Sequence, residues 1–300
     1  MNQDDVLKAL KNEDYWKALN PHLHITDTLF ENCDPDFSYD KTQLQEAGED
    51  LNHEGYYKLD SVIDESISTA LAQGIKNLSA HGILPIFAFV YDEYWLLLKR
   101  LESILRTSLG NHLHILPDIW AWDIQKGQNN SGFAAHRDLN ERHLDKNGHP
   151  SFITLWVNLT ETTPFNSCIY VLPTHLDPFY PDHLSEFPNN KENYHGISFE
   201  NIRALPAKAG SVFCWSVNTV HWGSRSTKHA SDNRISLGFY LYRGDETPDE
   251  SLTFKDKLPF DSRLNCIGEN ILDYQNRLKF TDLTLAFANS VAKKRNWKLG

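Results

Sequence analysis

Apolar residues recur along the chain with two periods, and the change from one to the other organises it. Residues 55–59 read as a short strand. Residues 61–78 then place Ile63, Ile67, Ala70, Leu71 and Ile75 at the spacing of a helix. Residues 87–109 repeat that spacing through Trp95, Leu97, Leu98, Leu101, Ile104 and Leu105, which predicts a second helix buried on one face. Both helices are expected to brace a sheet. From about Leu113 the period shortens. Residues 112–115, 119–124, 152–160, 168–172, 211–215 and 234–242 read as strands separated by turns, the texture of a β-sandwich or barrel. In the run starting at Phe152, Thr154, Trp156 and Asn158 alternate with Ile153, Leu155, Val157 and Leu159, so one face is core and the other is free to line a pocket.

The flanks are more polar. Residues 1–50 alternate short helical patterns, such as 6–19, with a polar stretch at 32–50 broken by Pro35, and are expected to form a peripheral arm rather than core. Between Pro173 and Pro206 the chain is rich in Pro, His, Asn and acidic residues, which predicts a lid at about 174–205. After Gly244 the sequence becomes helix-compatible again through 260–294. The expected organisation is an arm (1–50), one main domain (51–244) and a C-terminal helical extension (245–300) packed on it.

Charge and composition narrow the function. Lys and Arg total 29 against 40 Asp and Glu, a net charge of −11, and no basic run tracks a phosphate backbone, so nucleic acid is not an expected partner. Residues 1–5 lack the basic and apolar regions of a secretory signal, so a cytoplasmic location is expected. The longest apolar run, 83–90, contains Pro85 and is too short to span a bilayer, which argues against a membrane partner. Cys33, Cys168, Cys214 and Cys266 are scattered and read as reduced structural thiols. The partner expected is a small-molecule substrate, and the chain is expected to be a monomer or homodimer.

The chemistry centres on His136 and Asp138, which lie two apart and share a face if the segment is extended. Alone this pair is a weak signal. It gains weight from His221, which follows the apolar run 211–215, and from Arg234, which opens the last strand 13 residues later.

This ordered set resembles the phytanoyl-CoA dioxygenase-like family of Fe(II)- and 2-oxoglutarate-dependent oxygenases. The resemblance covers roughly 51–242 and rests on His136-x-Asp138, the strand at 156–160, the run from Asn166 to Pro173, Ala209-Gly210-Ser211, His221 and Arg234. It implies a double-stranded β-helix, a jelly-roll core with flanking helices. It also implies Fe(II) held by His136, Asp138 and His221, a facial triad that leaves three coordination positions open for 2-oxoglutarate and O₂. Arg234 would bind the distal carboxylate of 2-oxoglutarate, helped by the Ser236 hydroxyl, and ascorbate is a candidate activator. The implied reaction is hydroxylation of a C–H bond coupled to decarboxylation of 2-oxoglutarate to succinate and CO₂. Related halogenases lack the carboxylate ligand, so Asp138 favours hydroxylation over halogenation.

Some positions stay open. The family often shows a Pro-Gly-Ser/Thr-His turn where this chain has Pro173-Thr174-His175, which makes His175 a competitor of His221 for the metal. Trp122 and Thr154 are candidate co-substrate contacts, and Phe133, Trp120, Trp156 and Asn218 are candidate substrate contacts. Arg137 would point away from the triad on an ideal strand and is expected in a surface salt bridge. Desaturation, epoxidation or halogenation would use the same iron site. A non-catalytic jelly-roll binding module is the alternative outside enzymology.

Overall fold

The computed structural model describes residues 3–26, 33–129, 132–186, 196–245, 251–252 and 258–292. The first elements are α1 (Gln3–Leu10), α2 (Glu13–Leu19), α3 (Lys41–Glu54), β1 (Tyr56–Leu59), α4 (Glu65–Ala80) and α5 (Asp92–Leu109). The strands that follow are β2 (Leu113–Ile124), β3 (Phe152–Asn158), β4 (Ile169–Leu172), β5 (Arg203–Leu205), β6 (Val212–Ser216), β7 (Val220–Gly223) and β8 (Arg234–Arg243). Helices α6 (Phe260–Tyr274) and α7 (Asp282–Val291) complete the described chain.

The strands form two antiparallel sheets, one ordered β1-β6-β3-β8-β2 and one ordered β5-β4-β7. The alternation read in β3 holds: Ile153, Leu155 and Val157 join Leu237, Phe239 and Leu241 of β8 in the main core beneath the helices. On the opposite face, Trp156, Phe213 and Trp215 pack against Ile169 and Val171 of the smaller sheet. This is the jelly-roll expected, with its two sheets meeting through alternate side chains.

Local chemistry explains where the elements depart from the pattern. The helix expected at 87–109 opens as a 3₁₀ helix, Pro85–Val90, and Tyr91 is extended before α5 begins. The helical pattern at 6–19 divides at Asn12, whose side chain accepts from the Asp14 amide and caps α2. The strands expected at 112–115 and 119–124 are one strand, β2, whose register with β8 shifts between Ile115 and Ile119. Pro117 lies in that gap, and Asn270 of α6 satisfies the exposed backbone by accepting from the Ile119 amide and donating to the Pro117 carbonyl.

Several described residues of the 1–50 segment enter the core. Trp16, Leu44 and Ala47 are buried in the main cluster, with Trp16 stacked on Phe87 at 5.3 Å. The polar residues diluted the apolar pattern, but the few apolar side chains fall on the helix faces that meet α5 and β1. The C-terminal helices are equally integrated: Arg263 of α6 is buried and pairs with Asp92 at 2.6 Å.

Within the expected lid, the described residues contain 3₁₀ turns at Thr174–Leu176, Leu184–Glu186 and Phe199–Asn201, then β5. Residues 187–195 of that segment lie outside the described residues. No helix among the described residues is long and apolar enough to cross a membrane.

Candidate active site

Strand β8 sets one wall of the site. Its period of two sends Ile235, Leu237 and Phe239 to the core, so Arg234, Ser236, Gly238 and Tyr240 face the smaller sheet. Gly238 lies opposite both Trp120 of β2 and Trp156 of β3. With no side chain there, the two indoles border open space. A cavity lies on this side, lined among others by Trp120, Trp122, Phe133, Trp156, Arg234 and Tyr240.

His136 and Asp138 reach this cavity from a segment that is not a regular strand. His136 makes a single antiparallel bridge to His221 of β7, and the amides of Asp138 and Leu139 both donate to the Val217 carbonyl. The extended spacing expected from the sequence is thus imposed by the β6–β7 turn. The two imidazoles lie 4.4 Å apart between centroids. Nε2 of each is 3.6 Å from Asp138 Oδ1. Nδ1 of each lies against a backbone carbonyl, that of Ala134 for His136 and that of Thr219 for His221. A carbonyl can only accept, so Nδ1 carries the proton and both Nε2 lone pairs are free to ligate.

The second oxygen of Asp138 is held separately. Oδ2 accepts from the Thr154 hydroxyl at 2.6 Å and from Trp215 Nε1 at 3.1 Å. Burial alone would raise this carboxyl, but the two histidines and the Thr154 hydroxyl outweigh it and hold it below the usual carboxylate range. Burial pushes His221 down to about 4 against the opposing pull of Asp138, so its imidazole is neutral at physiological pH. The donor atoms of His136, Asp138 and His221 lie within 4.8 Å of one another, a mixed imidazole and carboxylate set suited to a divalent ion.

Beside this cluster, Arg234 is buried at 2% exposure. Among the described residues, its Nε and Nη1 and the Ser236 hydroxyl have no hydrogen-bond partner. Trp156 packs on the guanidinium at 5.1 Å and the Gly132 backbone passes close to it. Burial lowers the Arg234 guanidinium to about 9, with Cys168 acting in the opposite sense. A buried cation with unpaired donors is a costly arrangement that an incoming carboxylate would relieve. The residues present therefore fit both a metal ion and a dicarboxylate.

The remaining sequence candidates separate. Trp120, Trp122, Phe133 and Trp156 line the cavity, Trp122 meeting Phe133 edge to face at 5.3 Å. Thr154 also borders it, but its hydroxyl is committed to Asp138 rather than to a co-substrate. Asn218 does not line it. Its side chain is buried, donating to the carbonyls of Leu139 and Glu141 and accepting from the His143 amide, and so shapes the loop after Asp138.

Arg137 is not in a surface salt bridge. It is buried and pairs at 2.7 Å with Asp177, which is also buried, while Nη1 donates to the Asn218 carbonyl. The reason is that the opposite face of the His136 segment is covered by the turn after β4. His175 lies in a different group, with His53 and Glu54. Trp215 and Tyr274 are among the cavity residues that were not sequence candidates. Trp215 was legible in the alternation of β6, whereas Tyr274 reaches the cavity from α6 and stacks on Trp120 at 4.5 Å, for which nothing local in the sequence gives a signal.

The family model for phytanoyl-CoA dioxygenase (PhyH) matches residues 49–231. Among solved structures, the non-heme alpha-ketoglutarate-dependent epimerase SnoN from nogalamycin biosynthesis is 16% identical, with a TM-score of 0.52 over 73% of this chain and 95% of that one. It has also been solved with Fe³⁺, alpha-ketoglutarate and nogalamycin RO. The apo form of the non-heme monooxygenase ThoJ is 14% identical, with a TM-score of 0.54 over 82% of this chain and 99% of that one. At these identities the likeness establishes a shared fold. No curated protein shows significant sequence similarity.

Proposed function

The chain belongs to the phytanoyl-CoA dioxygenase family of Fe(II)- and 2-oxoglutarate-dependent enzymes, and we propose that it hydroxylates a C–H bond of a small molecule. The observation that carries this reading is the pairing of the His136, Asp138 and His221 donors with a buried Arg234 whose Nε and Nη1 lack partners among the described residues. His136, Asp138 and His221 would hold the iron. When bound, the iron couples decarboxylation of 2-oxoglutarate to oxidation of the substrate.

The protein's own residues do the positioning. Arg234 and Ser236 would take the distal carboxylate of 2-oxoglutarate, giving the buried guanidinium a counter-anion. Thr154 and Trp215 occupy Asp138 Oδ2 and leave Oδ1 turned toward the two Nε2 atoms. The aromatic walls formed by Trp120, Trp122 and Phe133 exclude water and give a planar or apolar substrate large surfaces to contact. Asp138 fills the position that a halide would need, which supports hydroxylation over halogenation. The similar structures include an epimerase as well as a monooxygenase, so placement of the reacting C–H bond decides the outcome.

The test is anaerobic titration of purified protein. A weak visible band that requires both Fe(II) and 2-oxoglutarate is expected, followed by succinate release when O₂ and a metabolite mixture are added. Failure to bind either iron or 2-oxoglutarate would refute the reading. An oxidised product without an added oxygen atom would keep the site but replace hydroxylation.

A further inference from the structure

We infer that His53, Glu54 and His175 form a second divalent-metal site, of the zinc class, separate from the His136-Asp138-His221 cluster. Their donor atoms lie within 4.8 Å of one another. Glu54 Oε1 is 3.0 Å from His53 Nδ1 and 3.4 Å from His175 Nδ1, and the two rings are 4.9 Å apart between centroids. Two donors bound at zinc's usual ligand distances to one tetrahedral ion are separated by roughly 3.3 Å, so little rearrangement is needed. Two imidazoles and a carboxylate suit zinc, nickel or copper better than the hard cations calcium and magnesium. All three side chains are partly open to solvent, which leaves the fourth position to water.

The backbone that presents these ligands is tied down. His53 and Glu54 close the last turn of α3, and Gly55 follows in the left-handed conformation with φ 81°. A side chain at Gly55 would collide with Thr174 and Thr219. The Thr174 hydroxyl donates to the His53 carbonyl, and the Thr219 hydroxyl donates to the Gly55 carbonyl. His175, one residue after Thr174, is thus held over the end of α3 by contacts that do not involve its ring. The field there favours a cation. The C-terminus of a helix carries partial negative charge, and Glu49 and Asp50 stand on the same final turns. The carboxyl of Asp50 is raised chiefly by burial and further by Glu54 and Glu49, against the pull of His53. An ion bound here would cross-link the end of α3 to the turn after β4.

The test uses zinc alone, titrated into the purified full-length protein against a chromophoric chelator, with melting temperature read in parallel. Wild type is expected to bind two equivalents. The His53→Gln/His175→Gln variant, altered only at exposed positions, should bind one and lose part of the zinc-induced rise in melting temperature. The Asp138→Ala variant should retain the α3 equivalent, so failure here is distinguishable from failure of the iron site. Zinc stoichiometry in the His53→Gln/His175→Gln variant equal to that of wild type, or loss of all zinc binding by the Asp138→Ala variant, would overturn the inference.

Discussion

His136 and His221 are joined by a two-way backbone bridge, the His136 amide donating to the His221 carbonyl at 3.1 Å and the His221 amide donating back at 2.9 Å. The register that sets the imidazoles side by side is therefore made by main-chain atoms. Replacing either ring by alanine should delete a ligand and keep the fold. His136→Ala and His221→Ala are expected to lose stoichiometric Fe(II) binding in anaerobic titration while their circular dichroism matches wild type. Iron retained at the His136-Asp138 cavity in His221→Ala would show that His221 is not a ligand.

Arg234 offers a different kind of loss. A hydrogen bond to a charged group contributes about 1.5–3 kcal/mol, so loss of even one in Arg234→Ala should raise the 2-oxoglutarate requirement by at least roughly 10- to 150-fold. Fe(II) affinity measured without 2-oxoglutarate should not change. Equal weakening of both would mean that Arg234 supports the metal rather than the co-substrate.

Thr154 and Trp215 act through Asp138. Removing an outer partner of a metal ligand typically costs about 10- to 100-fold in metal affinity, and Thr154→Val deletes the 2.6 Å donor with little change of volume. Competition titration with a chelator should show that loss, and Trp215→Phe should shift affinity in the same direction. If Thr154→Val binds iron like wild type, the backbone contacts at Val217 orient Asp138 unaided.

The buried Arg137–Asp177 pair joins the metal-site segment to the turn after β4. Breaking such a pair by removing one partner costs about 3–5 kcal/mol, whereas replacing both by apolar residues is often neutral. Asp177→Ala should lower stability in urea by that amount, and Arg137→Met/Asp177→Leu should recover most of it. A surface-like effect below about 1 kcal/mol in Asp177→Ala would contradict the burial.

Acid should weaken the metal-free protein through His221. Its folded value, about 4, lies below the roughly 6.5 of an unfolded histidine, so the unfolded chain binds the extra proton between them. The stability contributed by the neutral imidazole is complete above the unfolded value and falls as pH drops toward 4, by about 2 kcal/mol between pH 7 and 5. Asp138 is depressed in the folded state, so its contribution is lost only below the unfolded carboxylate value and does not change over this interval. Denaturant melts at pH 7 and 5, with the His221 ring followed by NMR, check the sign. A His221 ring that protonates near 6.5 would refute it.

Periodicity and order along the chain determined a good deal alone. The alternation in β3 and β8 separates core from cavity side chains, because a pleated strand repeats every two residues whatever its neighbours. The spacing of His136, Asp138, His221 and Arg234 identified residues that the fold gathers around one cavity. What tertiary structure decided is who meets whom across elements. Arg137 is buried only because the turn carrying Asp177 folds over it, and Trp215 reaches Asp138 only because β6 neighbours β3. His175 leaves the triad for His53 and Glu54 because the end of α3 lies against the turn after β4. Local periods specify which face a side chain takes; the partner on that face depends on strand order and loop path, which no local pattern encodes.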